Sequence, residues 1–116
     1  MSQGDRIRAQ LGHLFQGEQA IAIYDIEVDH SGHYVVDPEG CVAPRFVGGV
    51  KPGSYGRIDG HPAKAPKSRL RGYEKVAAMG ADLVLLYPVF WEHYKQVAWI
   101  PVDHFQIVSG NPDLNV

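Results

Sequence analysis

Residues 83–102 have the sequence LVLLYPVFWEHYKQVAWIPV, which begins with an uninterrupted apolar run. Leu83–Leu86 is apolar at every position, which is typical of a central strand covered on both faces, here by helices. A second apolar stretch follows the polar residues Glu92–Gln96. This pattern predicts a hairpin that joins residues 83–91 to residues 97–102. We expect the rest of the chain to pack around this antiparallel pair.

Two short helices are predicted to lie against the sheet. The first is indicated by apolar residues at the spacing of one helical face, which are Ile7, Leu11, Leu14 and Phe15. The second begins near Ser68, which is a good helix N-cap, and ends at Gly80. Its apolar face consists of Leu70, Tyr73 and Ala77.

A second hairpin is predicted around the turn Asp29-His30-Ser31-Gly32. From Tyr24 to Val28, apolar residues alternate with acids, which is the period of a half-buried strand. Asp at the first position and Gly at the fourth position favour a type I turn followed by a glycine bulge. This register places Val28 opposite Tyr34, Asp29 opposite His33, and Asp25 opposite Asp37.

We therefore predict an α+β fold for residues 1–116, a single small domain with a mixed, mainly antiparallel sheet packed with two helices. Residues 38–69 contain six Gly and five Pro, so we expect an irregular excursion packed on the domain. Short strands can form inside it at Val42–Val47 and Tyr55–Ile58. Residues 109–116 are expected to be a frayed tail.

Two stretches resemble the Src-homology-3 (SH3) family. Residues 22–27, AIYDIE, are similar to its opening A-L-Y-D-Y motif, and residues 99–105, WIPVDHF, to its closing I-P-x-N-Y-V motif. The resemblance implies an alternative fold, an SH3-like small β-barrel with added helices, and an aromatic groove for a polyproline helix. The matching groove positions are Tyr24, Trp91 and Pro101. Ile26 and His104 stand where the family has groove tyrosines.

The composition limits the class of protein. Of the 116 residues, 45% are apolar and 21% are charged, which is typical of folded globular proteins rather than disordered chains. Cys41 is the only cysteine, so neither an intramolecular disulfide nor a multi-cysteine zinc site can form. The sequence has neither a secretory signal nor an apolar run long enough for a membrane span. We expect a soluble, cytoplasmic protein without a membrane partner or a cofactor.

The charged residues are unevenly distributed along the chain. Residues 18–40 hold six acids and no Lys or Arg, whereas residues 45–75 hold eight Lys or Arg and two acids. On the acidic strand face, Asp25, Asp29, His33 and Asp37 are candidates for a metal site or for acid–base catalysis. A solvated strand face is the simpler interpretation of the same alternation.

A basic segment precedes and enters the second predicted helix. Its candidate anion-binding residues are Lys64, Lys67, Arg69 and Arg71. A helix N-terminus also favours anions, so phosphate or nucleic acid is one interpretation of this segment. The pI near 6.3 argues against a dedicated nucleic-acid binder. The alternative is that these residues form salt bridges with the acidic strand.

Aromatic residues concentrate near the C-terminal hairpin, where positions 87–105 contain six of them, including both tryptophans. Core packing explains such a cluster in part. The sharper hypothesis is a ligand or partner contact at the hairpin, formed by Trp91, His93, Tyr94 and Trp99.

No nucleophile elbow, P-loop or metal-spacing motif is present in the sequence. We therefore expect a non-enzymatic ligand-binding or protein-assembly domain that uses the aromatic hairpin, with self-association or a protein partner. The alternatives are a small metal- or acid/base-dependent enzyme at the acidic face, and nucleic-acid or anion binding through residues 64–75.

Overall fold

The computed structural model describes residues 3–10, 20–71 and 83–109 of the chain. These residues form eight strands, which are β1 (Arg6–Ala9), β2 (Ile21–Asp25), β3 (Arg45–Val50), β4 (Tyr55–Ile58), β5 (Ala63–Pro66), β6 (Leu83–Trp91), β7 (Gln96–Pro101) and β8 (Phe105–Ser109). Two single turns of 3₁₀-helix follow β5 and β7, at Lys67–Arg69 and Val102–His104.

All eight strands belong to one antiparallel sheet, in which seven follow the order β3-β2-β7-β6-β4-β1-β8 and β5 pairs with β6 beside this path. The predicted C-terminal hairpin is confirmed, since β6 pairs with β7 from Leu86↔Pro101 to Trp91↔Gln96. The other edge of β6 pairs with β5 through its first half and with β4 through its second half. The apolar run at residues 83–91 is therefore the central strand, as its composition indicates.

The predicted α+β fold is wrong, because the described residues contain no α-helix and consist mainly of antiparallel strands. Ile7, assigned above to a helix, lies in β1, where Ile7 and Ala9 are buried and the alternate residues Arg6 and Arg8 are not. Buried and more exposed residues therefore alternate along β1, as in a strand, and do not follow the spacing of a helix. Positions 11, 14 and 15 of that prediction lie outside the described residues.

The second predicted helix also fails where it is described. Ser68 lies inside the 3₁₀ turn Lys67–Arg69, which has no side-chain cap. Leu70 is fully buried directly after this turn. Residues 72–82, which include the rest of the predicted helix, lie outside the described part. No helix among the described residues is long and apolar enough to cross a membrane.

The central hairpin is apolar at almost every position because its two faces contact two different cores. Val89, Trp91, Ala98 and Ile100 pack in the first core, together with residues of β1, β2, β3, β4 and β8. Val84, Leu86 and Trp99 pack in the second core with Tyr24, Val42 and Leu70. The two faces of this hairpin were predicted to be covered by helices. They are covered instead by other strands and by the segments around residues 42 and 70.

His104 is the one buried polar side chain among the described residues, and it lies in the 3₁₀ turn after β7. Burial lowers the pKa of His104 below its ordinary value, and the negative charge of Asp103 opposes this effect. A histidine with a depressed folded-state pKa takes up its proton more readily in the unfolded chain.

We therefore expect the free energy of unfolding to fall as the pH drops below about 6.5, the ordinary histidine pKa. His104→Gln should flatten this dependence relative to the wild type. Urea denaturation between neutral and mildly acidic pH measures the dependence in both proteins. An unchanged slope in the His104 variant would contradict the assignment.

Candidate functional site

The hairpin of residues 27–36, which we call the acidic hairpin, has the predicted turn at Asp29–Gly32. Val28 forms an isolated bridge with Tyr34, and the Asp29 amide donates to the His33 carbonyl at 2.8 Å. Asp29 Oδ1 accepts hydrogen bonds from the backbone amides of His33 at 3.0 Å and Ser31 at 2.8 Å. These bonds, the one from His33 foremost, hold the pKa of Asp29 below its usual value. The carboxylate therefore stabilises the turn.

The carboxylates of Asp37 and Asp25, the other acids predicted on this strand face, also interact with groups of the protein itself. Asp37 Oδ1 accepts from the amides of Cys41 and Glu39, which lower its pKa, and Oδ2 pairs with Arg69 at 3.0 Å. Asp25 pairs with Arg45 of β3 at 3.0 Å instead of facing Asp37. Within the described ranges, no three His, Cys, Asp or Glu residues are grouped so that they could hold a metal ion.

The basic segment packs against the acidic one. Besides its pairing with Asp37, Arg69 donates to the Val42 carbonyl at 3.2 Å. The Arg71 guanidinium lies over the Phe46 ring at 5.5 Å. Lys64 is on β5, and its carbonyl accepts from the Val42 amide. Lys67 belongs to the 3₁₀ turn. Among the described residues 64–71, Arg69 is thus the one that forms a salt bridge with the acidic segment.

The two tryptophans expected at the hairpin contact are core residues. Trp91 is 1% exposed, and its indole Nε1 donates to the Ala98 carbonyl at 3.3 Å. Trp99 is 6% exposed and meets the Tyr34 ring edge-to-face at 4.9 Å. Alternation along each strand turns them inward, so both are removed from the predicted contact surface.

The SH3 resemblance implies an exposed aromatic groove, and the residues matched to it are buried instead. Tyr24, Trp91 and Pro101 are all fully or almost fully buried, and the Tyr24 hydroxyl donates to the Arg71 carbonyl at 2.6 Å. These three side chains are therefore inaccessible to a polyproline helix.

His93 and Tyr94, the other two predicted contact residues, are exposed in the β6–β7 turn. Tyr94 is 42% exposed, and its ring meets the His93 ring edge-to-face at 5.0 Å. They form one wall of a cleft of about 460 Å³, whose lining residues are Lys51, Pro52, Gly53, Ser54, Tyr55, Glu92, His93 and Tyr94. The cleft thus lies between two turns, residues 51–54 after β3 and residues 92–95 after β6.

One rim of the cleft is a cationic and aromatic cluster. Arg6 makes a two-pronged ion pair with Glu92, with N···O distances of 3.0 and 3.1 Å, and its guanidinium lies over the Tyr55 ring at 4.1 Å. The hydrogen bonds from Arg6 are the main cause that lowers the pKa of Glu92, and the charges of Arg57 and Lys95 lower it further. One cation, Arg6, therefore pairs with this carboxylate, and the charges of two more act on it at the cleft.

Strand register aligns this cluster with an apolar pair on the same face of the sheet. Val97 is opposite Phe90, Phe90 is opposite Arg57, and Arg57 is opposite Arg6 across β7, β6, β4 and β1. We call these four residues the outer row. Val97 and Phe90 are exposed large apolar side chains. The row therefore changes from apolar to basic over about 15 Å, since neighbouring strands lie about 5 Å apart.

Sequence reasoning missed Lys51, Tyr55, Arg57 and Arg6. The only local signal for the two arginines is the alternation of polar and buried residues. Arg6 is followed by buried Ile7, and Arg57 lies between buried Gly56 and Ile58. Each pattern marks the solvent face of a strand. Their proximity depends on pairings between strands that are far apart in the chain.

Comparisons of the chain with protein-family models, with curated proteins and with solved structures found no match. The chemistry of the cleft itself is therefore the basis for assigning a function.

Proposed function

We propose that this chain is a non-enzymatic binding module whose cleft takes an acidic segment of a protein partner. The observation that supports it most is the convergence of Arg6, Arg57 and Lys95 on Glu92, with Lys51 on the opposite turn. A carboxylate from a partner enters a region where positive charge already exceeds negative charge.

The Arg6 side chain is held in place at the cleft, where Nε and one terminal nitrogen are paired with Glu92, and a partner's carboxylate would compete with Glu92 for them. Its guanidinium is fixed between the Tyr55 ring and the Glu92 carboxylate. A planar guanidinium with several fixed donors recognises carboxylates in two-pronged geometry, and a stacked one loses less freedom on binding. The cleft therefore favours carboxylates over neutral polar groups.

The apolar half of the outer row favours a polypeptide as the ligand. Phe90 and Val97 stand exposed beside Arg57, and Tyr94 projects from the turn at the end of the same two strands. A peptide with both acidic and apolar side chains can pair with the cations and cover these residues in one extended conformation. Free phosphate or a small diacid would leave the apolar half uncovered.

The test is fluorescence anisotropy with three labelled probes of equal length: an acidic peptide with interspersed Val and Phe, its Lys-substituted analogue, and a single-stranded oligonucleotide. The acidic peptide should bind more tightly than both by at least about tenfold, or about 1.4 kcal/mol. Stronger binding of the oligonucleotide, with a steep salt dependence, would favour the nucleic-acid alternative and contradict the proposal.

Matched charge reversals distinguish this cleft from the basic segment. Lys51→Glu should weaken peptide binding, whereas Lys64→Glu should leave it unchanged, because Lys64 lies on β5 outside the cleft. The opposite result would assign the binding to the segment around residues 64–71.

A further inference from the structure

The face of the sheet that carries the cleft also carries a segment with the chemistry that the cleft is proposed to bind. Hairpin residues 27–36 present the exposed acids Glu27 and Asp29. The same hairpin exposes large apolar side chains, which are Val28, Val35 and Val36. It is therefore an acidic segment with exposed valines.

Tyr34 fixes this hairpin next to the outer row. Its ring packs edge-to-face on Trp99 at 4.9 Å, and its hydroxyl donates to the His61 carbonyl at 3.0 Å. Trp99 and Val97 are two residues apart in β7, so their side chains lie on the same face of the sheet. The acidic hairpin and the apolar-to-basic row are thus neighbours on one surface.

We propose that the partner of this surface is a second copy of the same chain, in a two-fold symmetric dimer. This inference rests on the proposed function and names the acidic segment as the hairpin of residues 27–36. In a two-fold dimer each surface meets an identical one, so an acidic patch beside a basic patch is self-complementary. The valines of one protomer cover Phe90 and Val97 of the other, and Glu27 approaches Arg57.

Charge and exposure favour a second copy over an unrelated protein. Hairpin residues 27–36 carry two acids, Glu27 and Asp29, and no Lys or Arg, whereas the outer row has two arginines, of which Arg6 pairs with Glu92, and no acid. Five large apolar side chains, Val28, Val35, Val36, Phe90 and Val97, are exposed on the hairpin and the row together. An apolar surface rimmed by charge is typical of a protein–protein contact, and a symmetric dimer covers both halves at once.

Sedimentation velocity on the full chain over a concentration series tests the dimer. The wild type should sediment as a dimer at about 0.1 M salt and dissociate towards about 1 M salt, since the Debye length falls from about 10 Å to about 3 Å. Glu27→Lys and Arg57→Glu should each sediment as monomers, because like charges then meet twice across the two-fold axis. Lys64→Glu should remain dimeric.

The decisive sample is a mixture of the two charge-reversed variants. Lys at position 27 of one protomer then faces Glu at position 57 of the other, and Glu27 faces Arg57 at the second contact, so a heterodimer should form. The double variant E27K/R57E should likewise recover a homodimer, which also excludes misfolding as the cause of the single-variant result.

Two outcomes would overturn the dimer. One is a wild-type monomer at every concentration and salt, and the other is a pair of single variants that dimerise like the wild type. If the chain stays monomeric while the acidic peptide still binds, the second copy is wrong and the cleft function stands. If the dimer forms by the charge-swap rule while free acidic peptides do not bind, the dimer stands and the general acidic-peptide function is wrong.

Discussion

A Trp91→Ala variant is expected to lose about 3–5 kcal/mol of its free energy of unfolding, the usual cost of truncating a buried tryptophan. Trp91 is 1% exposed and lies in the first core with residues of six other strands. Its removal leaves a cavity in the first core, beside Gly56 of β4, and deprives the Ala98 carbonyl of the indole donor. Urea denaturation followed by circular dichroism measures the loss.

Tyr94→Ala is the matched control, because Tyr94 is an exposed aromatic residue three positions further along the same hairpin. Its stability should stay within about 0.5 kcal/mol of the wild type. It should nevertheless weaken binding of the acidic peptide. Comparable destabilisation by both substitutions would contradict the division between a core tryptophan and a surface tyrosine.

Reversing the charge of Arg57 should weaken binding of the acidic peptide by about tenfold to a hundredfold, because juxtaposed like charges cost up to several kcal/mol. Arg57 stands between Phe90 and Arg6 in the outer row, and its charge acts on Glu92. Arg57→Glu therefore places a second carboxylate at the centre of the cationic cluster. Isothermal titration calorimetry with the acidic peptide measures the change.

Glu92→Gln should change the same affinity in the opposite direction. Glu92 occupies both prongs of the Arg6 guanidinium, so the neutral amide releases them for an incoming carboxylate. A weaker affinity in this variant would mean that Glu92 itself contacts the ligand, contrary to the proposed charge preference. Opposite signs at positions 57 and 92 cannot arise from general destabilisation.

Local patterns predicted the elements whose partners are close in the chain. The β6–β7 hairpin follows from two apolar stretches separated by five polar residues. The turn at Asp29 follows from its Asp and Gly positions, and the bridge between Val28 and Tyr34 has the predicted register. In each case a short turn joins the two strands, so residues that are close in the sequence determine the register.

The sheet as a whole could not be predicted in the same way. β4 was anticipated at Tyr55–Ile58, but its partners are β1 and β6, which are distant in sequence. Residues 38–69 supply β3, β4 and β5 despite their glycines and prolines. β3 and β5 are edge strands on β2 and β6, where short strands are tolerated, whereas β4 is held between β1 and β6. The helix expected from Ile7 failed because the buried and exposed residues of β1 alternate with period two.

The candidate site was predicted only where it lies within one turn. His93 and Tyr94 were found from their aromatic neighbours, whereas Lys51 and Tyr55 come from a turn about 40 residues earlier in the chain. Trp91 and Trp99 were misplaced because an aromatic cluster does not itself indicate which face of a strand is covered. Only the positions of the two cores decide that.

The most direct test of the cleft as the binding site is a heteronuclear NMR titration of the full chain with the acidic peptide. Backbone amides of residues 51–55 and 92–95 should shift together and saturate at one peptide concentration, while those of residues 64–71 keep their positions. Shifts concentrated at residues 64–71, with the two cleft turns unchanged, would contradict the account.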